Sequence, residues 1–104
     1  MNMMKMMKQA ASMQKNMAKV QEDLASMTLE HQSGGGAVTV SIGGEGTVRA
    51  IRIDPKVVDP ADVEMLEDLV LTAVQGAQEA AKLTAAAEMQ KVTAGMGLPP
   101  GLGL

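Results

Sequence analysis

Between residues 2 and 27 the apolar side chains fall at Met3, Met6, Ala10, Met13, Met17, Val20, Leu24 and Met27, a strict alternation of three and four. This spacing keeps one narrow stripe along one side of a helix, the seam of a rod that packs lengthwise on another. It predicts a single amphipathic helix over 2–27, about 39 Å long at ~1.5 Å per residue. Such a rod is long for a chain of 104 residues, so it is expected to project from the body.

Past Thr28 the period changes. Val38, Val40 and Ile42 alternate with Thr39 and Ser41, the signature of a half-buried strand. Ser33-Gly34-Gly35-Gly36 reads as a turn before it, and Gly43-Gly44-Glu45-Gly46 as a tight connection after it. A second alternating run sets Ile51 and Ile53 on one face and Val48, Ala50 and Arg52 on the other. Thr28–Gln32 fits a further edge strand, so the meander has two or three strands and one apolar face. Asp59-Pro60 is a helix-start pair, an acidic cap followed by proline in the first turn. The second helix is therefore expected over 60–93, with Leu66, Leu69, Val70, Ala73, Ala77, Ala80, Ala81 and Ala87 inward. Gly76 in its middle costs about 1 kcal/mol against alanine and marks either a kink or a close approach. The fold class is α+β, ordered helix, small antiparallel sheet, long helix. One domain is expected over 1–94, with a Gly/Pro-rich tail at 95–104.

The chain has no Phe, Tyr or Trp, so its core must be built from Met, Ala, Val, Leu and Ile. Alanine buries little area, and a chain of this size buries a modest share of its surface. The missing apolar burial is expected from a second copy, with a two-fold dimer as the common arrangement. No cysteine is present, which excludes disulfides, thiolate catalysis and zinc–thiolate sites and fits a reducing cytoplasm. Lys5 and Lys8 interrupt the apolar N-terminus, which therefore reads neither as a signal peptide nor as a membrane span. A cytoplasmic protein is expected.

The formal net charge is −3, but the charges are segregated. Lys5, Lys8, Lys15 and Lys19 all precede the first acidic residue, Glu22, whereas Asp54, Asp59, Asp62, Glu64, Glu67 and Asp68 crowd one later stretch. At about 100° per residue the four lysines fall within roughly 80° of one another, opposite the methionine seam. Two readings fit them. An amphipathic helix needs a solvated face, and a row of lysines is also a phosphate-binding stripe that releases counterions. Lys82 and Lys91 on the second helix add to that surface or pair with Glu79 and Glu88, three residues before them. Arg49 and Arg52 suit an interface or a contact with Asp54.

The run MNMMKMM invites copper(I), because thioethers are soft ligands. Most of these methionines lie on the seam, where core packing accounts for them, so no metal site is expected. Met4 and Met7 lie off it. His31, the lone histidine, lacks a cysteine or carboxylate partner and reads as a surface residue. No nucleophile elbow, phosphate loop or metal-spaced carboxylate set is present, and the glycine runs lack the lysine or helix that phosphate cradling needs. Neither an enzyme nor a cofactor is indicated. Without aromatics, base stacking on a single strand or RNA is unavailable.

Over nearly its whole length the chain resembles the YbaB/EbfC family of nucleoid-associated proteins. The likeness is carried by Met7-Lys8-Gln9-Ala10 with Met13-Gln14-Lys15-Asn16-Met17, by Ser33-Gly34-Gly35-Gly36 before a valine strand, and by Ile51-Arg52-Ile53-Asp54-Pro55. Met65-Leu66-Glu67-Asp68-Leu69-Val70 and the closing Gly95-Met96-Gly97-Leu98-Pro99-Pro100-Gly101 complete it. The resemblance implies a tweezers-like homodimer joined through its sheet, so Val38, Val40, Ile42, Ile51 and Ile53 are expected at the dimer interface. It also implies double-stranded DNA bound with little sequence preference at the nucleoid, chromosome organisation or compaction, and an effect on gene expression. DNA contacts are then expected at Lys5, Lys8, Lys15, Lys19, Lys82 and Lys91, with no membrane and no small-molecule substrate. The rival class is a helical adaptor or chaperone-like dimer that grips proteins with methionine, marked by exposure of Met4 and Met7 together.

Overall fold

Asn2 opens the first helix by accepting a hydrogen bond from the Met4 amide at 3.1 Å, satisfying one of the donors that a helix start leaves free. The helix, α1, spans Met3–Ser26 in a computed structural model that describes residues 2–95. It ends where Met27 turns extended and its amide bonds back to the Leu24 carbonyl. Three strands follow, β1 (Thr28–Ser33), β2 (Val38–Gly43) and β3 (Val48–Ile53), in an antiparallel meander of order β1-β2-β3. Thr28–Gln32 is thus strand, and the sheet has three. The Ser33–Ala37 turn needs glycine: Gly34, Gly35 and Gly36 all have φ between 61° and 99°, where a side chain is strained.

The register sets Leu29, His31 and Ser33 of β1 opposite Ile42, Val40 and Val38 of β2. On the other side Val38 and Val40 pair with Ile53 and Ile51. Cross-strand partners share a face, so Leu29, Val38, Val40, Ile42, Ile51 and Ile53 form one apolar surface, with His31 and Ser33 on its β1 side. Between Ser41 and Ile42 the register slips: Ser41 pairs with Ala50 but Ile42 pairs with Val48, leaving Arg49 without an opposite residue. This bulge corrects the expected alternation, because it brings Val48 opposite Ile42 instead of leaving it on the far face from Ile51 and Ile53.

The second helix, α2, spans Val63–Gly95. It begins three residues later than Asp59-Pro60 suggests. Asp59 accepts from the Ala61 amide at 2.9 Å in a separate turn, and Asp62 accepts from the Met65 amide at 3.2 Å as the true cap. A short 3-10 turn at Pro55–Val57, capped by Asp54, fills the link. The tail expected past Gly95 lies outside the described residues.

Val38, Val40 and Ile42 pack against Ala73, Ala77 and Ala81, and all six are buried. Small residues every fourth position let the helix backbone approach the sheet closely. Leu29, Leu69, Val70 and Val74 border this core. The Ser33 hydroxyl ties sheet to helix by donating to the Leu69 carbonyl at 2.6 Å. Gly76 proves to be a close approach: a Cβ there would lie 2.1 Å from Nε2 of His31. His31 is accordingly half-buried against α2 and not a free surface residue. Ala87, expected to face inward, is exposed.

α1 reaches the sheet at the β2–β3 connection, where its Leu24 lies against Gly44. α2 leaves past the same connection, Ala81 and Ala85 lining a small cleft with Gly44–Gly46. The two helices pack together beyond this end of the sheet. Of the seam, Val20 and Leu24 are buried and Met13 and Met27 half-buried, while Met3, Met6, Ala10 and Met17 are exposed. Core packing within one protomer therefore does not account for the N-terminal methionines.

Candidate nucleic-acid interface

Lys5, Lys8, Lys15 and Lys19 are all exposed on α1, and none forms an ion pair with a described residue. An unbroken helix from Met3 to Ser26 keeps them on one side, as the spacing requires. Their stem is anchored by Val20 and Leu24, while the turns carrying Lys5 and Lys8 are exposed on every side. Four exposed ammonium groups with no counterion among the described residues make this side of α1 a cationic stripe.

The other two lysines do not extend this row. Lys82 and Lys91 stand nine residues apart on a continuous helix, which places them about half a turn from each other and on opposite sides. Lys91 donates to Glu88 at 3.0 Å, the expected i,i+3 pair, whereas Lys82 is exposed beside the Gly44–Gly46 connection and makes no pair with Glu79. Arg52 pairs with Glu30 at 3.2 Å across the sheet, and Arg49 is bound to the end of α1; neither meets Asp54.

The expected dimer residues divide. Val38, Val40 and Ile42 are fully covered by α2 inside one protomer, so their side chains are not available to a second copy. Ile51 and Ile53, by contrast, are 44% and 39% exposed, because α2 lies across β1 and β2 and leaves β3 open. An open apolar cleft of about 470 Å3 runs beside them, lined by Ile53, Leu66, Val70, Leu71 and Val74 with Glu67 at its edge. Leu71 and Val74 were missed by the inward pattern of α2; their signal is an apolar flank beside that stripe, which widens the helix's apolar face.

The opposite pole is acidic. Asp62, Glu64 and Asp68 gather at the start of α2 around a shallow open cleft. Among the described residues no group of three or more His, Cys, Asp or Glu side chains is placed to hold a metal ion. Their helices include none long and apolar enough to cross a membrane.

Helix, three-stranded meander and long helix, with a lysine-faced arm and an uncovered edge strand, define a small α+β protein with a basic helical projection. Comparison with known proteins places it further. The model of the YbaB/EbfC DNA-binding family matches residues 1–96, and the chain belongs to that family. A nucleoid-associated protein of Gluconacetobacter diazotrophicus is 46% identical over 101 residues, 97% of this chain and 94% of that one. Another from Akkermansia muciniphila is 46% identical over 103 residues, 99% of each chain, and one from Alkaliphilus metalliredigens is 49% identical over 98 residues, 94% and 86%. The crystal structure of an uncharacterized protein of Helicobacter pylori shares the fold, with a TM-score of 0.71 at 23% identity over 79% of this chain and 86% of that one.

Proposed function

We propose that the protein acts as a homodimer that holds double-stranded DNA between the lysine faces of its α1 helices, with little sequence preference. At the nucleoid it organises and compacts the chromosome and thereby affects gene expression. It acts by binding and not by catalysis, with no cofactor. The observation that carries this reading is the row Lys5, Lys8, Lys15 and Lys19, exposed on one side of α1 and without an ion pair among the described residues. Each lysine that neutralises a phosphate releases counterions, a gain that overcomes a small net negative charge on the protein when the local field is positive. No aromatic side chain is available to stack on bases, so backbone and shape dominate recognition. Burying Ile51, Ile53 and the neighbouring cleft against a second copy supplies apolar burial that a chain without aromatics needs.

Gel-shift titrations on unrelated duplexes at two salt concentrations test this. The parent chain is expected to bind them alike and to weaken steeply with salt. Each lysine replaced by alanine lowers the slope of log K against log salt by about 0.9 for every phosphate no longer neutralised, up to twice that in a dimer. A quadruple Lys5, Lys8, Lys15, Lys19→Ala chain that shifts DNA as well as the parent would remove the lysine row from the interface.

One observation favours a second reading. Met4 and Met7 are exposed together, 73% and 67%, as the protein-gripping adaptor requires. Under that reading partner binding is insensitive to salt, and DNA is not shifted even at low salt.

A further inference from the structure

We infer that Arg49 is a positioning residue for DNA binding: it fastens the C-terminal end of α1 to the β2–β3 hairpin and so fixes where the lysine row points, without itself touching DNA. This rests on the function proposed above. A helix end leaves carbonyls without partners, and cations stabilise it there. The last turn of α1 carries no basic residue of its own. Arg49 supplies the missing charge from another element. Its Nη1 donates to the Met27 carbonyl at 3.0 Å and to the Thr28 hydroxyl at 2.9 Å, and its Nη2 donates to the Ala25 carbonyl and to Glu45 Oε1 at 3.5 Å.

The surrounding chain is shaped for this joint. Arg49 is the residue left over at the bulge, a device that re-aims a side chain. Gly43 leaves room for the guanidinium, since a Cβ there would come within 2.6 Å of Arg49 Nη2. Gly44 lets the helix end approach, since its Cβ would lie 2.7 Å from the Leu24 carbonyl oxygen. The buried side chains of α1, Val20 and Leu24, add apolar contacts, which are less directional than hydrogen bonds. A planar fork bonding two helix-end carbonyls and the neighbouring hydroxyl does impose a direction, and lysine cannot reproduce it. With both terminal nitrogens engaged and Glu45 alongside, Arg49 has little left to offer a phosphate.

The chain has no cysteine, so spin labels at Ser12→Cys and Gln90→Cys report the α1–α2 distance cleanly when labelled chains are diluted into unlabelled ones. The full chain is measured with Arg49, R49Q and R49K, beside gel shifts on the duplexes used above. The expected result is a narrow distance distribution for the parent, a broad one for R49Q and a partly narrowed one for R49K. Loss of pre-orientation weakens DNA binding by R49Q about tenfold. Its salt slope is unchanged, because every lysine still reaches its phosphate once DNA is bound. An equally narrow distribution in R49Q overturns the inference. So does a salt slope reduced by about one or more, which marks Arg49 as a phosphate ligand. If R49Q fails to fold by circular dichroism, R49K decides by the same two readouts. A parent chain with a narrow distribution that shifts no duplex sinks the proposed function and the DNA role of Arg49 together, whereas a broad parent distribution sinks the joint alone.

Discussion

Gly76 and His31 meet across 45 positions of sequence, and neither advertises the other. A glycine inside a helix signals only that something unusual happens there, and a lone histidine signals less. Their contact is tertiary, created when β1 is laid under α2, so no local pattern contains it. The lysine row was legible for the opposite reason: its members share one helix, and helical periodicity alone sets their common side. The same arithmetic separates Lys82 from Lys91, a nine-residue spacing that two charges on one helix easily hide. Gly76→Ala tests the close contact. Alanine gains about 1 kcal/mol in helix propensity, but its methyl group would meet the imidazole, an overpacking that costs typically 1–3 kcal/mol. Urea unfolding is expected to show a net loss for Gly76→Ala and recovery when His31→Ala is added to it, because the second change vacates the space.

For the elements, periodicity revealed which face of α1 is apolar but not how much of that face meets a partner. That extent depends on where α2 starts and how far it runs past the sheet, which α1's own residues do not encode. The start of α2 shows the same limit. Asp59-Pro60 and Asp62-Val63 both carry an acidic residue suited to capping, and the chain uses the first for an isolated turn and the second for the helix. Asp62→Ala is therefore expected to cost about 1 kcal/mol of stability, within the usual range for removal of a cap. Asp59→Ala is expected to cost less, because its bond closes a turn outside the helix. Thermal unfolding of the two variants side by side measures the difference, and equal losses would assign the cap wrongly. Order and type of the elements were readable because each has its own period; the bulge at Arg49 was not, since register belongs to pairs of strands.

The whole molecule measures 70 × 22 × 16 Å, with a radius of gyration of 19.3 Å against about 13 Å for a compact chain of this length. That excess reflects helices running past a short sheet, and it leaves β3 with only one side paired. The sequence led to the expectation of a second copy but not to the residues that remain for it, because α2 covers only part of the one apolar sheet face and leaves β3 open. Ile51→Lys with Ile53→Lys is expected to lower the sedimentation mass toward one chain and to weaken DNA binding severalfold, though every α1 lysine is retained. Lys5 and Lys8 lie at one pole and the Asp62, Glu64 and Asp68 cluster at the other, so approach to a polyanion is oriented before contact. The Arg49 joint lies at the base of an arm about 36 Å long at ~1.5 Å per residue. Leverage follows from that geometry: turning the arm by about 10° about its root sweeps the tip by roughly 6 Å, close to two steps along one DNA strand. Under the proposed function, a small displacement at one arginine is thereby magnified at the tip that carries Lys5 and Lys8.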